Sequence, residues 1–194
     1  MPLPRSRQLP WLISHLCAPT VLVTALLMFT PLRFPQVSWP HAFVATTFTM
    51  LIPWAVLVWA RKTGKVSDIH ITRREQRWPL LLTALASILL GLTLMVWLRV
   101  EPVLLREVLL ILAGLLITGG ITLRWKISIH VAVAAFVALH ILEDRPYGAA
   151  VAVAVVGILS WSRVQLRHHT SSQVFAGAVV GAMVSLFAFL PMSG

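Results

Sequence analysis

Acidic side chains are the first scarcity in this sequence: 194 residues carry only 6 Asp and Glu, against 16 Lys and Arg. Asp68 and Asp144 are the only aspartates, which excludes the paired Asp-rich helices of a membrane prenyltransferase. A single cysteine, Cys17, lies in an apolar run, so no internal disulfide framework can form and the redox compartment is not readable from it. No Cys/His cluster has metal-ligand spacing, no Gly-rich loop leads into Lys-Ser/Thr, and no Gly-x-Ser-x-Gly elbow occurs. Long-period repeats, low-complexity tracts and heptads are also missing. Charged residues of both signs make up 11% of the chain, well below the roughly 25% of a soluble domain.

What fills the sequence is apolar. Hydrophobic residues reach 58% and the mean hydropathy is +0.87. A bilayer core takes about 20 apolar residues as helix, and seven candidate spans appear, near 11–31, 41–60, 79–98, 103–123, 128–142, 147–161 and 174–191. The expectation is an all-α polytopic membrane helix bundle of six or seven transmembrane helices, built as one domain over 1–194. The fifth and sixth spans are short, as suits helices whose ends face a polar site. Arg5 and Arg7 precede the first apolar run as in a signal peptide, but no small-residue cleavage site follows, so a retained anchor is expected. Pro35 and Pro40 bracket the turn to the second span. The one long polar loop runs from Arg61 to Trp78, and its Ser67–Arg77 stretch reads as a short helix on the membrane surface.

Polar chemistry concentrates in Ser162-Arg-Val-Gln-Leu-Arg-His-His-Thr-Ser-Ser-Gln173, between two apolar runs. Read as a turn entering a helix, it stacks Gln173 on His169, four residues away, and turns His168 about 100° aside toward the surface. A second constellation, Lys126-Ile-Ser128-Ile-His130, places three polar groups at alternate positions of an extended lead-in. Ser128 there either donates to an anion or caps the next helix. An arginine, a histidine and a hydrogen-bond partner for that histidine are the parts needed to hold a phosphate and attack it. Three blander readings stand beside these. His140, Glu143, Asp144 and Arg145 form a solvated turn, Asp68 lies on a solvated loop face, and Gly177-x-x-x-Gly181 lets helices approach closely.

On these residues the chain resembles the type-2 phosphatidic acid phosphatase superfamily, which includes the vanadium haloperoxidases. The family's third signature is Ser-Arg, five residues, His, three residues, Asp. Ser162, Arg163 and His169 fall on it in register, with Gln173 at the Asp position. Its second, Pro-Ser-Gly-His, is met in part by Ile127-Ser128-Ile129-His130. Its first, Lys, six residues, Arg-Pro, is best fitted by His70 and Arg77, with Pro79 one residue late. The resemblance covers about 65–185 and implies metal-independent hydrolysis without a cofactor. His169 would be the nucleophile, forming a phosphohistidine, and His130 the general acid. Gln173 would orient His169, while Arg163, Arg77, Lys126, Ser128 and His70 would bind the phosphate. An amide at 173 orients the ring but adds no charge, so Asp68, Glu75 or another carboxylate would supply it, unless the chain no longer catalyses.

With seven spans, all three signature-bearing segments share the side of the N-terminus. That side holds twelve of the 16 Lys and Arg, the other only Arg33, Arg99, Arg106 and Arg145. Nine against four remain after the phosphate-binding candidates Arg77, Lys126 and Arg163 are removed. The positive-inside rule then puts the N-terminus and the site in the cytoplasm of a bacterial plasma membrane. The net charge of +10 fits such loops, anionic lipid or a phosphate site, and no nucleic acid is expected as partner. A cytoplasmic site favours polyprenyl diphosphates or a phosphorylated polyprenyl-sugar, with phosphatidic acid and phosphatidylglycerophosphate next. The alternatives are a non-catalytic binder of lipid phosphate and a transporter using the same basic pocket; association of copies is left open.

Overall fold

A computed structural model describes residues 5–65 and 77–188. Among the described residues every regular element is helical: α1 (Arg5–Leu16), α2 (Pro19–Arg33), α3 (Trp39–Thr46), α4 (Ile52–Lys62), α5 (Arg77–Trp97), α6 (Pro102–Arg124), α7 (Ile129–Ile141), α8 (Gly148–Gln165) and α9 (Ser171–Phe187), with a π-type segment, Thr47–Leu51, joining α3 to α4. Five stretches are long and apolar enough to cross a membrane: Arg7–Arg33, Trp39–Lys62, Arg77–Trp97, Pro102–Arg124 and Gly148–Gln165. The first joins α1 and α2 across a break at Cys17. α7 and α9 are shorter, at 13 and 17 residues. At 1.5 Å per residue, α7 spans only about two thirds of a 30 Å hydrocarbon core. The sixth expected span, by contrast, is a full 18 residues.

Large apolar side chains face outward along these helices, among them Leu82, Leu89 and Leu90 on α5, Leu109 and Leu116 on α6, and Phe175 and Leu186 on α9. Tryptophans cluster near helix ends, as at Trp39, Trp59, Trp78, Trp97 and Trp161, where amphipathic rings suit the headgroup level. Both features fit helices whose outer surface meets lipid.

Residues 1–23 and 116–194 form one compact unit and residues 24–115 another. In the first, α7 is the central helix, packed most extensively on α9, then on α8, while α1 lies against α8. α7 is Ala- and Val-rich and buried on most sides, as expected of a helix apolar all round. Val131 and Ala134 of α7 meet Leu159 of α8 and Val174 of α9, with Ile13 and Cys17 packed against them. The α7–α9 contact is backbone-close. A Cβ at Gly177 would lie 2.6 Å from the Ser128 carbonyl oxygen, and one at Gly181 would run into the Ala132 carbonyl. Packing is thus the meaning of that glycine pair.

In the second unit a proline explains a distorted helix. Pro53 has no N–H and its ring crowds the carbonyl four residues back. The chain responds with the π segment, where the Ile52 N–H bonds the Thr47 carbonyl, five residues back. In that register the next donor, for the Phe48 carbonyl, would be residue 53, which has none. The Ser87 hydroxyl of α5 donates to that carbonyl instead, at 2.6 Å. One turn on, Gly91 leaves the room that Phe48 occupies. Elsewhere in this unit the His41 Nδ1 and Glu101 Oε2 lie 3.0 Å apart, tying the first turn of α3 to the α5–α6 turn. Burial alone would raise the Glu101 carboxyl, but the hydrogen bond and charge of His41 leave it below its ordinary range.

Candidate functional site

The end of α8 sets the site. Its last turn closes with the His168 N–H on the Arg163 carbonyl (3.1 Å) and the Arg167 N–H on the Val164 carbonyl (2.9 Å). This is a Schellman closure, and Arg167 takes the left-handed position (φ 57) that glycine usually fills. It stops α8 and redirects the chain into α9, with Thr170 as N-cap. The Thr170 hydroxyl accepts the Gln173 N–H at 3.4 Å, and the Gln173 Oε1 accepts the Thr170 N–H at 3.1 Å, completing a capping box.

The same Gln173 oxygen lies 3.2 Å from the His169 Nδ1. The expected pairing therefore forms, though for a different reason. His169 precedes the N-cap and is not helical, and Gln173 reaches back to it as the third residue of α9. An oxygen that already accepts a backbone N–H is an acceptor, so the His169 Nδ1 is the donor. Its Nε2 then carries the lone pair. Burial lowers the His169 imidazole from 6.5 to about 4, helped by the positive charges of Arg163 and Lys126 and to a lesser degree by His168, and opposed by the Gln173 hydrogen bond. At neutral pH this ring is uncharged, with one fixed tautomer.

Arg163, in the last turn of α8, is 2% exposed. Its Nη1 donates to the Ser14 hydroxyl of α1 at 2.6 Å, while its buried Nε finds no acceptor among the described residues. Ser128 is at the N-cap of α7 and fully buried, yet its side chain does not cap. Its N–H instead donates to the Gln173 carbonyl at 3.2 Å, and its Oγ finds no partner among the described residues. Lys126 is half-buried in the extended lead-in, near enough for its charge to act on His169. His130, also half-buried, is the second residue of α7, two beyond the Ser128 that bonds α9. The 126–130 and 162–173 segments therefore meet at one end of the α7–α9 pair. No family model, curated protein or solved structure matches the chain.

Arg77 opens α5, is nearly buried, and belongs to the unit of residues 24–115. His70, Asp68 and Glu75, with most of the expected surface helix, lie outside the described residues. His168 is half-buried rather than surface-facing. His140 is not in a solvated turn. It is 1% exposed, stacked on Phe136 at 5.7 Å between ring centroids, with Nδ1 3.6 Å from Glu143 Oε2. An Ala-rich helix continues far enough to carry His140 into the packed interior. Among the described residues no group of three or more His, Cys, Asp and Glu is placed to hold a metal.

Ser14, Thr170 and Glu107 are not among the residues expected at the site from sequence. Thr170-x-x-Gln173 is a capping-box pattern and was readable as one. Ser14 had no such signal, being one hydroxyl in an apolar run whose partner is 149 residues away. Glu107, 1% exposed within α6, is an acid inside a membrane-length helix.

Proposed function

We propose that the chain is a membrane lipid phosphatase, acting through a phosphohistidine on a phosphate or diphosphate ester of a lipid. One observation carries this reading. His169, its Nδ1 anchored on Gln173, is near enough to Arg163 and Lys126 for their charges to act on it, and two buried donors of the same segments, the Arg163 Nε and the Ser128 Oγ, have no partner among the described residues. Buried donors left unpaired cost stability, and an anion with several oxygens is what satisfies them. The resemblance of Ser162, Arg163, His169, Ser128 and His130 to the phosphatase signatures points the same way.

In the proposed reaction the phosphate oxygens take hydrogen bonds from Arg163 and Ser128, with Lys126 adding charge. The His169 Nε2 attacks the terminal phosphorus in line, the N–P bond forms, and the bond to the leaving oxygen breaks, releasing the lipid alcohol from a monoester or the lipid monophosphate from a diphosphate. The departing oxygen takes a proton from His130. Water, giving its proton back to His130, then cleaves the N–P bond and releases inorganic phosphate. The Lys and Arg asymmetry favours a cytoplasmic site in a plasma membrane, and so polyprenyl diphosphates or phosphorylated polyprenyl-sugars as substrates.

The test is phosphate release from these lipids by purified protein in the presence of a chelator. Turnover is expected, inhibited by vanadate and abolished in His169→Ala and Arg163→Ala proteins that remain folded. His130→Ala should lower kcat by about 10²-fold or more. Full activity in His169→Ala would end the phosphohistidine mechanism. A second reading, a binder that holds lipid phosphate without hydrolysing it, is favoured by the amide at Gln173, which brings no charge to His169. Tight lipid binding without turnover would select it.

A further inference from the structure

Arg163 is a proposed phosphate ligand, yet its side chain is held from outside the turn that carries the other candidates. Helix α1 packs along α8, and two side-chain hydrogen bonds clasp the pair at α8's last turn. The Ser162 Oγ donates to the Pro10 carbonyl at 2.6 Å, and the Arg163 Nη1 donates to the Ser14 Oγ at 2.6 Å. Pro10 is fully buried and Ser14 is 3% exposed. Ile13, beside Ser14, packs against the Val131, Ala134, Leu159 and Val174 cluster, as does Cys17 one turn later. The Ser14 hydroxyl is thus fixed by core packing rather than carried on a mobile arm.

A guanidinium is a rigid plane with donors at fixed directions, so fixing one Nη1 in space restricts where the Nε–H can point. The Nε is the donor left without an acceptor among the described residues. The chemistry of the anchor also matters. A hydroxyl accepts the hydrogen bond without neutralising the arginine, whereas a carboxylate would take the charge that a phosphate needs. We propose that Ser14 is a positioning residue of this site: it holds Arg163 by one Nη1 and leaves the guanidinium's charge and its Nε–H for the substrate phosphate. This rests on the phosphatase reading above.

The probe is orthovanadate, measured as an inhibition constant against lipid phosphate turnover and by direct binding to the purified full chain. Ser14→Ala frees the guanidinium, and vanadate should bind about tenfold more weakly, with a matching rise in KM. In an Arg163→Ala background the same substitution should change vanadate binding no further, because Ser14 acts through Arg163. Ser162→Ala loosens the same helix contact without touching the guanidinium. It should lower the melting temperature about as much as Ser14→Ala does, with a much smaller effect on vanadate. Ser14→Asp separates the roles most clearly: an ion pair to Arg163 should keep or raise the melting temperature while vanadate affinity falls. Equal vanadate binding by wild type and Ser14→Ala would overturn the positioning role and leave the phosphatase reading standing. Equal losses in Ser14→Ala and Ser162→Ala would overturn it too, reducing Ser14 to a packing contact. A wild-type protein that neither turns over lipid phosphate nor binds vanadate would remove both proposals together.

Discussion

His169 shows how a neighbourhood can set the state of a single side chain. Its imidazole is lowered from 6.5 to about 4, first by burial and then by the charges of Arg163 and Lys126. Across that window the unfolded chain binds the proton and the folded chain does not. Stability therefore rises with pH from about 4 to 6.5, and this contribution is lost as pH falls. Nitrogen-15 NMR of histidine-labelled protein should show His169 neutral, with its proton on Nδ1, down to about pH 5. Lys126→Ala removes one positive neighbour and should move the titration upward; no movement would take Lys126 out of the site. Gln173 invites a second experiment. Asp, which the phosphatase signature places there, is a methylene shorter than a capping-box residue. Glu keeps the reach to the Thr170 N–H and adds the missing charge. Gln173→Glu should raise the His169 pKa and increase turnover about tenfold, a fraction of the roughly 10⁴ that the comparable carboxylate contributes in a serine-protease triad. Gln173→Leu should lose the anchor and about 1 kcal/mol of helix cap. If neither variant changes turnover, Gln173 only caps α9. The spacing of His169 and Gln173 was enough to pair them from sequence. That spacing alone implies helical stacking; the capping box that makes the pair is carried by Thr170-x-x-Gln173 instead. Ser14, whose partner is distant in sequence, had no local pattern to reveal it.

Single helices were legible where hydropathy is long and plain. α5 and α6 follow their apolar runs closely, because nothing inside those runs interrupts the backbone ladder. The Trp39–Lys62 stretch was readable as a span but not as a distorted one. Pro53 was in plain view, yet the remedy required Ser87 on another helix, which hydropathy does not report. That remedy is testable. Ser87→Ala leaves the Phe48 carbonyl unpaired in an apolar surrounding, at a cost of about 1–3 kcal/mol. The loss should appear as an earlier unfolding transition in detergent. Adding Pro53→Ala, which restores a backbone N–H, should recover much of it. If Ser87→Ala melts like wild type, the hydroxyl is not what supports the π segment.

At the scale of the whole molecule, composition points to a membrane protein, and five described helical stretches are long and apolar enough to cross a bilayer. Sidedness stands on charge alone. On the seven-span reading twelve of the 16 Lys and Arg fall on the N-terminal side, and the proposed orientation has the α4 end facing the cytoplasm. Thr63 sits there, two residues before Lys65, whose Nζ lies 4.3 Å from the Trp59 ring centroid. With Cys17 replaced by Ala, a Thr63→Cys protein should resist a membrane-impermeant thiol reagent in intact cells and react in inverted vesicles. Labelling from outside would reverse the orientation and favour externally facing lipid carriers as substrates.

The glycine seam between α7 and α9 has a further consequence, for selectivity. Gly177 and Gly181 bring α9 against the Ser128 and Ala132 carbonyls, with no side chain of their own to hold the two helices apart. Under the proposed chemistry the attacking imidazole sits just ahead of one of these helices, and the proton donor sits on the first turn of the other. The gap the phosphorus must bridge is then a fixed gauge, set by backbone thickness rather than by side-chain adjustment. Such a gauge would sort esters by the size of the group at the reacting centre and ignore the length of the lipid behind it.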